Sequence, residues 1–235
     1  MRGRADRRSR QRSGRWTSRA RQREIAFGGR GGKRRGAGRK RSGPRRRVRH
    51  GRREQIERPL PVHVTMRRAE GLPGLRRKGE YRVLRRAFSA GAKRFGFRLV
   101  EYSVMTNHLH LIVEAPDRRA LTRGLQGLFI RCARALNRLW GRKGKVFGDR
   151  YHEHVLRTPK EVRAALVYVL QNARRHRLAV GDIDPFSSGP WFEGWRREVE
   201  IVGAGARWLA RARTWLLARG WRRYGRIGVG ERAPR

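Results

Sequence analysis

The stretch Asn107-His108-Leu109-His110-Leu111-Ile112-Val113-Glu114 decides how this chain folds. Successive side chains of a strand point to opposite faces, so Leu109, Leu111 and Val113 enter a core while His108 and His110 project side by side on the other face. Such alternation predicts a strand of an antiparallel sheet whose two faces meet different surroundings. Two imidazoles two residues apart on one face suit a divalent metal ion. By itself the pair is weak evidence for a metal, and two surface histidines are its first reading.

Immediately upstream, Phe97 to Val104 is strand-like, and Met105-Thr106-Asn107 reads as the turn of an antiparallel hairpin. Before it, Tyr81, Leu84, Ala87, Phe88, Ala92 and Phe95 recur at helical spacing, which predicts a helix over 80–95. Order begins near Leu60, where Pro61-Val62-His63-Val64-Thr65-Met66 alternates as a first strand; the face that His63 occupies stays open. Downstream, Leu121, Leu125, Leu128, Phe129, Cys132, Leu136 and Leu139 mark an amphipathic helix over 118–140. Val146-Phe147 and His152 to Leu156 suggest short strands. Thr158-Pro159-Lys160-Glu161 combines an N-cap, a proline in the first turn and a Glu positioned for a capping box, so a helix runs from there to about Arg177. The order strand, helix, strand, strand, helix, strands, helix gives an α+β fold. The expected form is a ferredoxin-like antiparallel sheet with helices on one or both faces.

The chain of 235 residues carries 62 Lys and Arg against 18 Asp and Glu, a formal net charge of +44. A charge of that size concerns partners, and the natural one is a polyanion whose counterions each bound Lys or Arg releases. Residues 1–53 hold 23 of those basic residues but only Asp6 and Glu24 of the acids. They are rich in glycine and poor in apolar side chains, so 1–57 is expected to be a disordered basic arm that clings to nucleic-acid backbone. A catalytic domain over 58–182 and a C-terminal accessory segment over 183–235 follow. That last segment is expected to carry a helix over about 204–219, packed on the domain or gripping a DNA hairpin. No run of about 18 apolar residues spans a bilayer and no secretory signal is evident, so a cytoplasmic, nucleoid-associated location without membrane contact is expected. The single cysteine, Cys132, allows neither an internal disulfide nor a thiolate zinc cluster.

Two further features carry chemistry. Tyr168 and Asn172, four apart in the capped helix, are neighbours on one helix face. A tyrosine so placed is ordinarily core, and an asparagine ordinarily surface. Basic residues at Arg131, Arg134, Arg138, Arg142, Lys143, Lys145 and Arg150 are interleaved with Trp140, Phe147 and Tyr151, a composition that suits unstacked single strands. His152-Glu153-His154 is a second His-x-His; its charged middle residue argues against a buried opposite face, so Tyr151, His152 and His154 read as DNA-facing or supporting residues. Glu114 is either an acceptor that orients a histidine or a solvated strand end.

From about Leu60 to Glu231 the chain resembles the single-tyrosine HUH transposases, most of all the bacterial group associated with repetitive extragenic palindromes. The stretches that carry the resemblance are Phe97 to Val100 leading into Met105 to Ala115, then Val146 to His152, then Tyr168-Val169-Leu170-Gln171-Asn172-Ala173-Arg174-Arg175-His176. The resemblance implies that His108 and His110 are metal ligands, Asn172 a third, amide ligand, and Tyr168 the nucleophile on the scissile phosphate. It implies Mg²⁺ or Mn²⁺, and a covalent 5′-phosphotyrosine with a free 3′-hydroxyl that permits strand transfer. Many relatives follow this Asn with Pro, whereas Ala173 follows here. Single-stranded or hairpin DNA is the implied partner, contacted also by Arg174 and Arg175. Members of the group differ in working as monomers or as homodimers that exchange the tyrosine helix. A phenol ionises near about pH 10, so such a nucleophile needs a metal to polarise and orient the phosphate. Two other readings stay open: a basic nucleic-acid-binding protein without catalysis, and a metal-dependent phosphodiesterase in which water attacks.

Overall fold

The computed structural model describes residues 53–94, 96–178, 181–197 and 207–232. Nearly all of the basic arm expected over 1–57 therefore lies outside the described residues. The elements are β1 (Leu60–Arg67), α1 (Lys78–Gly91), β2 (Lys93–Arg94), β3 (Phe97–Val104), β4 (His108–Ala115), α2 (Arg118–Leu139), β5 (His152–Val155), α3 (Pro159–Arg175) and α4 (Trp215–Ala218), with 3₁₀ turns at Gly189–Trp191 and Gly220–Tyr224. The five strands form one sheet in the order β2-β3-β4-β1-β5, every neighbour antiparallel. Two split βαβ units interlock: β4 lies between β1 and β3, and β1 lies between β4 and β5. This is the expected ferredoxin-like α+β fold.

Each face of the sheet has its own core. On one, Val62, Val64, Leu109, Leu111 and Val113 are fully buried with Leu84 and Phe88 of α1 and Leu121, Leu125 and Leu136 of α2. Gly124 lets α2 come close to β3, since a Cβ there would stand 2.2 Å from the Phe97 ring. On the other face, Val100 and Ile112 pack with Val162, Leu166, Val167, Val169 and Leu170 of α3. Trp195, Leu217, Trp221 and Ile227 from the C-terminal part complete that second core.

Helix α3 has the capping box read from the sequence: Thr158 Oγ1 accepts from Glu161 N, and the Glu161 carboxylate accepts from Thr158 N. At its other end Arg177 adopts φ 56°, and bonds from Leu178 N to Ala173 O and from Arg177 N to Arg174 O close the helix as a Schellman motif. With Ala rather than Pro at 173, the helix runs unbroken past Asn172.

Three expected elements differ. The helix predicted over 80–95 ends at Gly91, because Lys93 and Arg94 turn back to pair with Arg98 and Phe97. Phe95 itself lies outside the described residues. Val146-Phe147 is not a strand; it makes one isolated bridge, Phe147 with Arg68. The helix predicted over 204–219 is reduced to Trp215–Ala218. Its earlier part, so far as it is described, is tied to the sheet instead: Ala210 N donates to Leu99 O, Arg207 reaches Val100 O and Glu101, and Arg213 N and Thr214 N donate to Glu114. With the run from Phe186 to Ser188, which bonds to Val104 N and Tyr102 O, this segment covers the outer edge of β3.

Candidate active site

The register of β1 against β4 and β5 assembles one polar patch from three strands. Thr65 stands opposite His110, Arg67 opposite His108, His63 opposite His154 and Thr65 also opposite His152. Ser103 of β3 stands on the far side of His110. Period-two alternation thus places His63, Thr65, His108, His110, His152 and His154 on the face that α3 covers.

The rings touch. His108 Nε2 lies 2.9 Å from His110 Nε2, and His110 Nδ1 lies 3.1 Å from both His63 Nε2 and Thr65 Oγ1. His108 Nδ1 meets Asn107 Oδ1 at 2.6 Å. Partners at Nδ1 leave the Nε2 edges of His108 and His110 turned toward each other, the arrangement in which an outer contact orients a ligand ring. Burial lowers all three pKa values. His63 falls to about 4 through burial and then the neighbouring His154 and His152. His108 falls to about 4 through burial, Arg67 and His176. His110 falls further, to about 2, through burial first, then His63, His108, His176 and Arg67. All three imidazoles are therefore neutral near pH 7, the state that presents a lone pair to a metal.

Helix α3 lays Tyr168 over this patch. The Tyr168 ring meets His110 edge to face at 5.1 Å between centroids and His63 at 5.6 Å. From Ala165 to Ala173 every residue is buried except Tyr168, which is half-buried and so open to a substrate. Arg175, two turns on, lies with its guanidinium carbon 5.9 Å from the centre of the Tyr168 ring. Asn172 sits one turn beyond Tyr168 and one turn before His176, whose charge reaches His108 and His110.

The donor set fits a divalent cation. Asn172 is 1 % exposed, and neither its Oδ1 nor its Nδ2 has a hydrogen-bond partner. A buried amide left unpaired costs roughly 1–3 kcal/mol, and a cation held at Oδ1 would offset the oxygen's share of it. Among the described residues no group of three or more His, Cys, Asp or Glu is arranged to hold a metal. A set of two imidazoles and one amide is not such a group.

Other expected site residues lie elsewhere. Arg131, Arg134 and Arg138 are on α2, behind the opposite face of the sheet, and Lys143 and Lys145 follow it in an exposed turn. Arg150 and His152 are exposed near the patch edge. The aromatic residues expected as stacking platforms are occupied. Phe147 is buried against Phe129, Trp140 Nε1 donates to Glu80, and the Tyr151 ring lies under the Arg53 guanidinium at 3.7 Å. Arg174 bonds to the carbonyls of Gly181 and Asp182. Glu153 is accommodated on the core side of β5 by ion pairs with Arg53 and Arg118. Glu114 orients no histidine; both its oxygens accept from Arg213 and Thr214 at the other end of β4. Sequence reasoning left His63 undecided and missed Thr65, Arg67 and His176. Their signal was positional: Thr65 and Arg67 share the strand parity of His63, and His176 lies one turn beyond Asn172.

No family model matches the sequence, and no curated protein matches it either. Among solved structures, the chain is similar to a REP-associated tyrosine transposase bound to a REP hairpin. The match has a TM-score of 0.51 and 20% identity, and it covers 68% of this chain and 98% of that one. That likeness shows the fold. A crystal structure of a Deinococcus radiodurans protein described as a transposase aligns at TM-score 0.38 and 17% identity, covering 57% of this chain and 100% of that one, too loosely to bear on the argument. No helix among the described residues is long and apolar enough to cross a membrane.

Proposed function

We propose that this protein cuts and rejoins single-stranded or hairpin DNA, with Tyr168 as the nucleophile and a divalent metal ion, Mg²⁺ or Mn²⁺, held by His108, His110 and Asn172. One observation carries the reading: six of the seven histidines and the one accessible tyrosine of α3 gather on a single patch, while the rest of that helix face is core. The fold shared with the hairpin-bound transposase and the net charge of +44 support the same class of substrate.

In the reaction the Tyr168 oxygen forms a bond to phosphorus as the bond from phosphorus to the 3′ oxygen breaks. The phenol gives up its proton on attack, the 3′ oxygen takes up one and leaves as a hydroxyl, and the 5′ side stays on the protein as a phosphotyrosine. Attack by another 3′-hydroxyl reverses the exchange and rejoins strands without an outside energy source. The metal, when bound, supplies Lewis-acid polarisation of a non-bridging phosphate oxygen. The protein's own residues hold the geometry: His63 and Thr65 fix the His110 ring through Nδ1, Asn107 fixes His108, and α3 presents Tyr168 above them. Arg67 and Arg175 bring positive charge to the phosphate.

A covalent-trapping assay tests this. Labelled single-stranded hairpin oligonucleotides from the protein's own genomic flanks are incubated with Mn²⁺ or Mg²⁺. A denaturation-resistant adduct that disappears in Tyr168→Phe and His108→Ala supports the mechanism. Tight binding without an adduct supports a binding protein without catalysis, and cleavage without an adduct supports attack by water.

A further inference from the structure

The end of the sheet remote from Tyr168 carries a groove of about 670 Å³ between the start of β1, the end of β4 and the segment before α4. Its floor is apolar, from Leu60, Ala115, Pro116 and Leu216, and four arginines, Arg58, Arg98, Arg157 and Arg213, line it. Glu114 is the one carboxylate among the lining residues. It already accepts from Arg213 N, Thr214 N and Thr214 Oγ1, and it pairs with Arg98 only at 3.8 Å. Arg157 is paired with Glu54. Among the described residues, neither the Arg58 nor the Arg213 guanidinium has an acidic partner. Burial and then the charge of Arg213 lower the Arg98 pKa, with Glu114 opposing. The groove thus concentrates positive charge that its own carboxylate does not balance.

At the rim stands Trp215, 49% exposed. It is held in place: its ring lies on Gly220, where a Cβ would come within 2.6 Å, and Arg223 approaches the ring at 4.8 Å. A half-exposed indole fixed beside unbalanced guanidinium groups is the combination that binds a nucleotide strand, base on the ring and phosphate on the cations.

We propose that this groove is a second nucleic-acid site, in which Arg58 and Arg213 hold the phosphates of a strand segment and Trp215 stacks one of its bases. It rests on the reading that the protein acts on single-stranded DNA. The six residue steps from His108 to Glu114 put the groove about 20 Å along β4 from the histidine patch. A strand cut at Tyr168 is then gripped at both ends of the sheet.

The test is equilibrium binding of labelled oligothymidylate of about 20 nucleotides, long enough for several protein subsites, over a range of salt concentrations. The full-length protein is compared with the Arg58→Gln/Arg213→Gln double variant, Trp215→Ala and Trp215→Phe, each first shown to melt like the parent. Loss of two phosphate contacts makes the slope of log K against log salt shallower by about 1.4. Trp215→Ala weakens binding by roughly tenfold or more, and Trp215→Phe recovers most of that. Parental affinity and parental salt slope in every variant overturn the proposal. So does displacement of an acidic polypeptide, but not of the oligonucleotide, by the same substitutions, which assigns the groove to a protein partner. Binding needs no Tyr168 chemistry. A parent protein that binds with these variant effects yet forms no adduct sinks the strand-cutting reading and leaves the groove standing.

Discussion

One strand, β4, serves two regions that share nothing but its backbone. Its odd-numbered residues Leu109, Leu111 and Val113 are fully buried under α1 and α2. Its even-numbered residues His108 and His110 sit in a polar patch under Tyr168. The apolar face depends on volume and shape, which neighbouring side chains can partly readjust. The histidine face depends on the direction of individual nitrogen atoms, which nothing nearby can replace. Substitutions on the two faces therefore separate stability from activity, and that separation can be broken or sharpened in four ways.

The largest effect is expected on the histidine face. Tyr168→Phe removes only the phenol oxygen, so the melting temperature stays close to that of the parent while the DNA adduct falls to background. His108→Ala also abolishes the adduct, since it removes one of the two converging Nε2 atoms. A Tyr168→Phe protein that still forms a covalent adduct breaks the assignment of the nucleophile.

Next comes the apolar face. Leu111 is fully buried, so Leu111→Ala is expected to destabilise the fold by about 2–5 kcal/mol, read by urea denaturation. Under conditions where the variant stays folded, its metal affinity should match that of the parent. A change in metal affinity as large as that caused by His108→Ala would show that the two faces are mechanically coupled.

A smaller effect is expected one layer behind the two Nε2 atoms. His63 and Thr65 both meet His110 Nδ1 at 3.1 Å. His63→Gln is expected to weaken metal binding by roughly 10- to 100-fold, as loss of an outer contact to a ligand histidine does. Thr65→Val, which leaves His63 in place, should cost less. Calorimetric titration with Mn²⁺ measures both, and equal affinity in parent and His63→Gln removes His63 from the site.

These comparisons also show what was legible in the sequence. The period of β4, the capping box at Thr158 and the spacing of α2 are local, and each could be read from a few residues. His63 could not be placed, because its face depends on the pairing of β1 with β4, and a one-residue slip would send it into the core. The segment 207–219 has helical apolar spacing at Leu209, Trp215 and Leu216, yet most of it is pinned along β3 by bonds such as that from Ala210 N to Leu99 O. Tertiary hydrogen bonds overrode local pattern there. The surroundings of the aromatic residues were illegible for the same reason: composition named Phe147 and Tyr151, but only packing shows that Phe129 and Arg53 meet their rings. Trp215 stays half-exposed although Gly220 and Arg223 meet its ring.

The last comparison concerns protons. His63 and His108 titrate near about 4 in the folded protein and His110 lower still, against 6.5 when unfolded. As pH falls below 6.5, the unfolded chain takes up protons that the folded chain refuses, so unfolding is favoured. Stability should be level from pH 6.5 up toward 9.0, the ordinary value of the buried Cys132 thiol, and decline from 6.5 toward about 4. Carboxylates whose folded pKa is lowered, such as Glu161, act only below their ordinary value of 4.5, so the upper part of the decline belongs to the histidines. On the apolar face Leu111→Ala carries no titrating group and should lower the whole profile in parallel. His63→Gln should instead flatten the decline between pH 6.5 and about 5, because one refused proton is gone. Thermal melts in chelator across that window distinguish the two shapes. A His63→Gln profile parallel to that of the parent would mean that His63 is protonated as readily in the folded chain as in the unfolded one, and the burial assigned to the histidine face would be wrong.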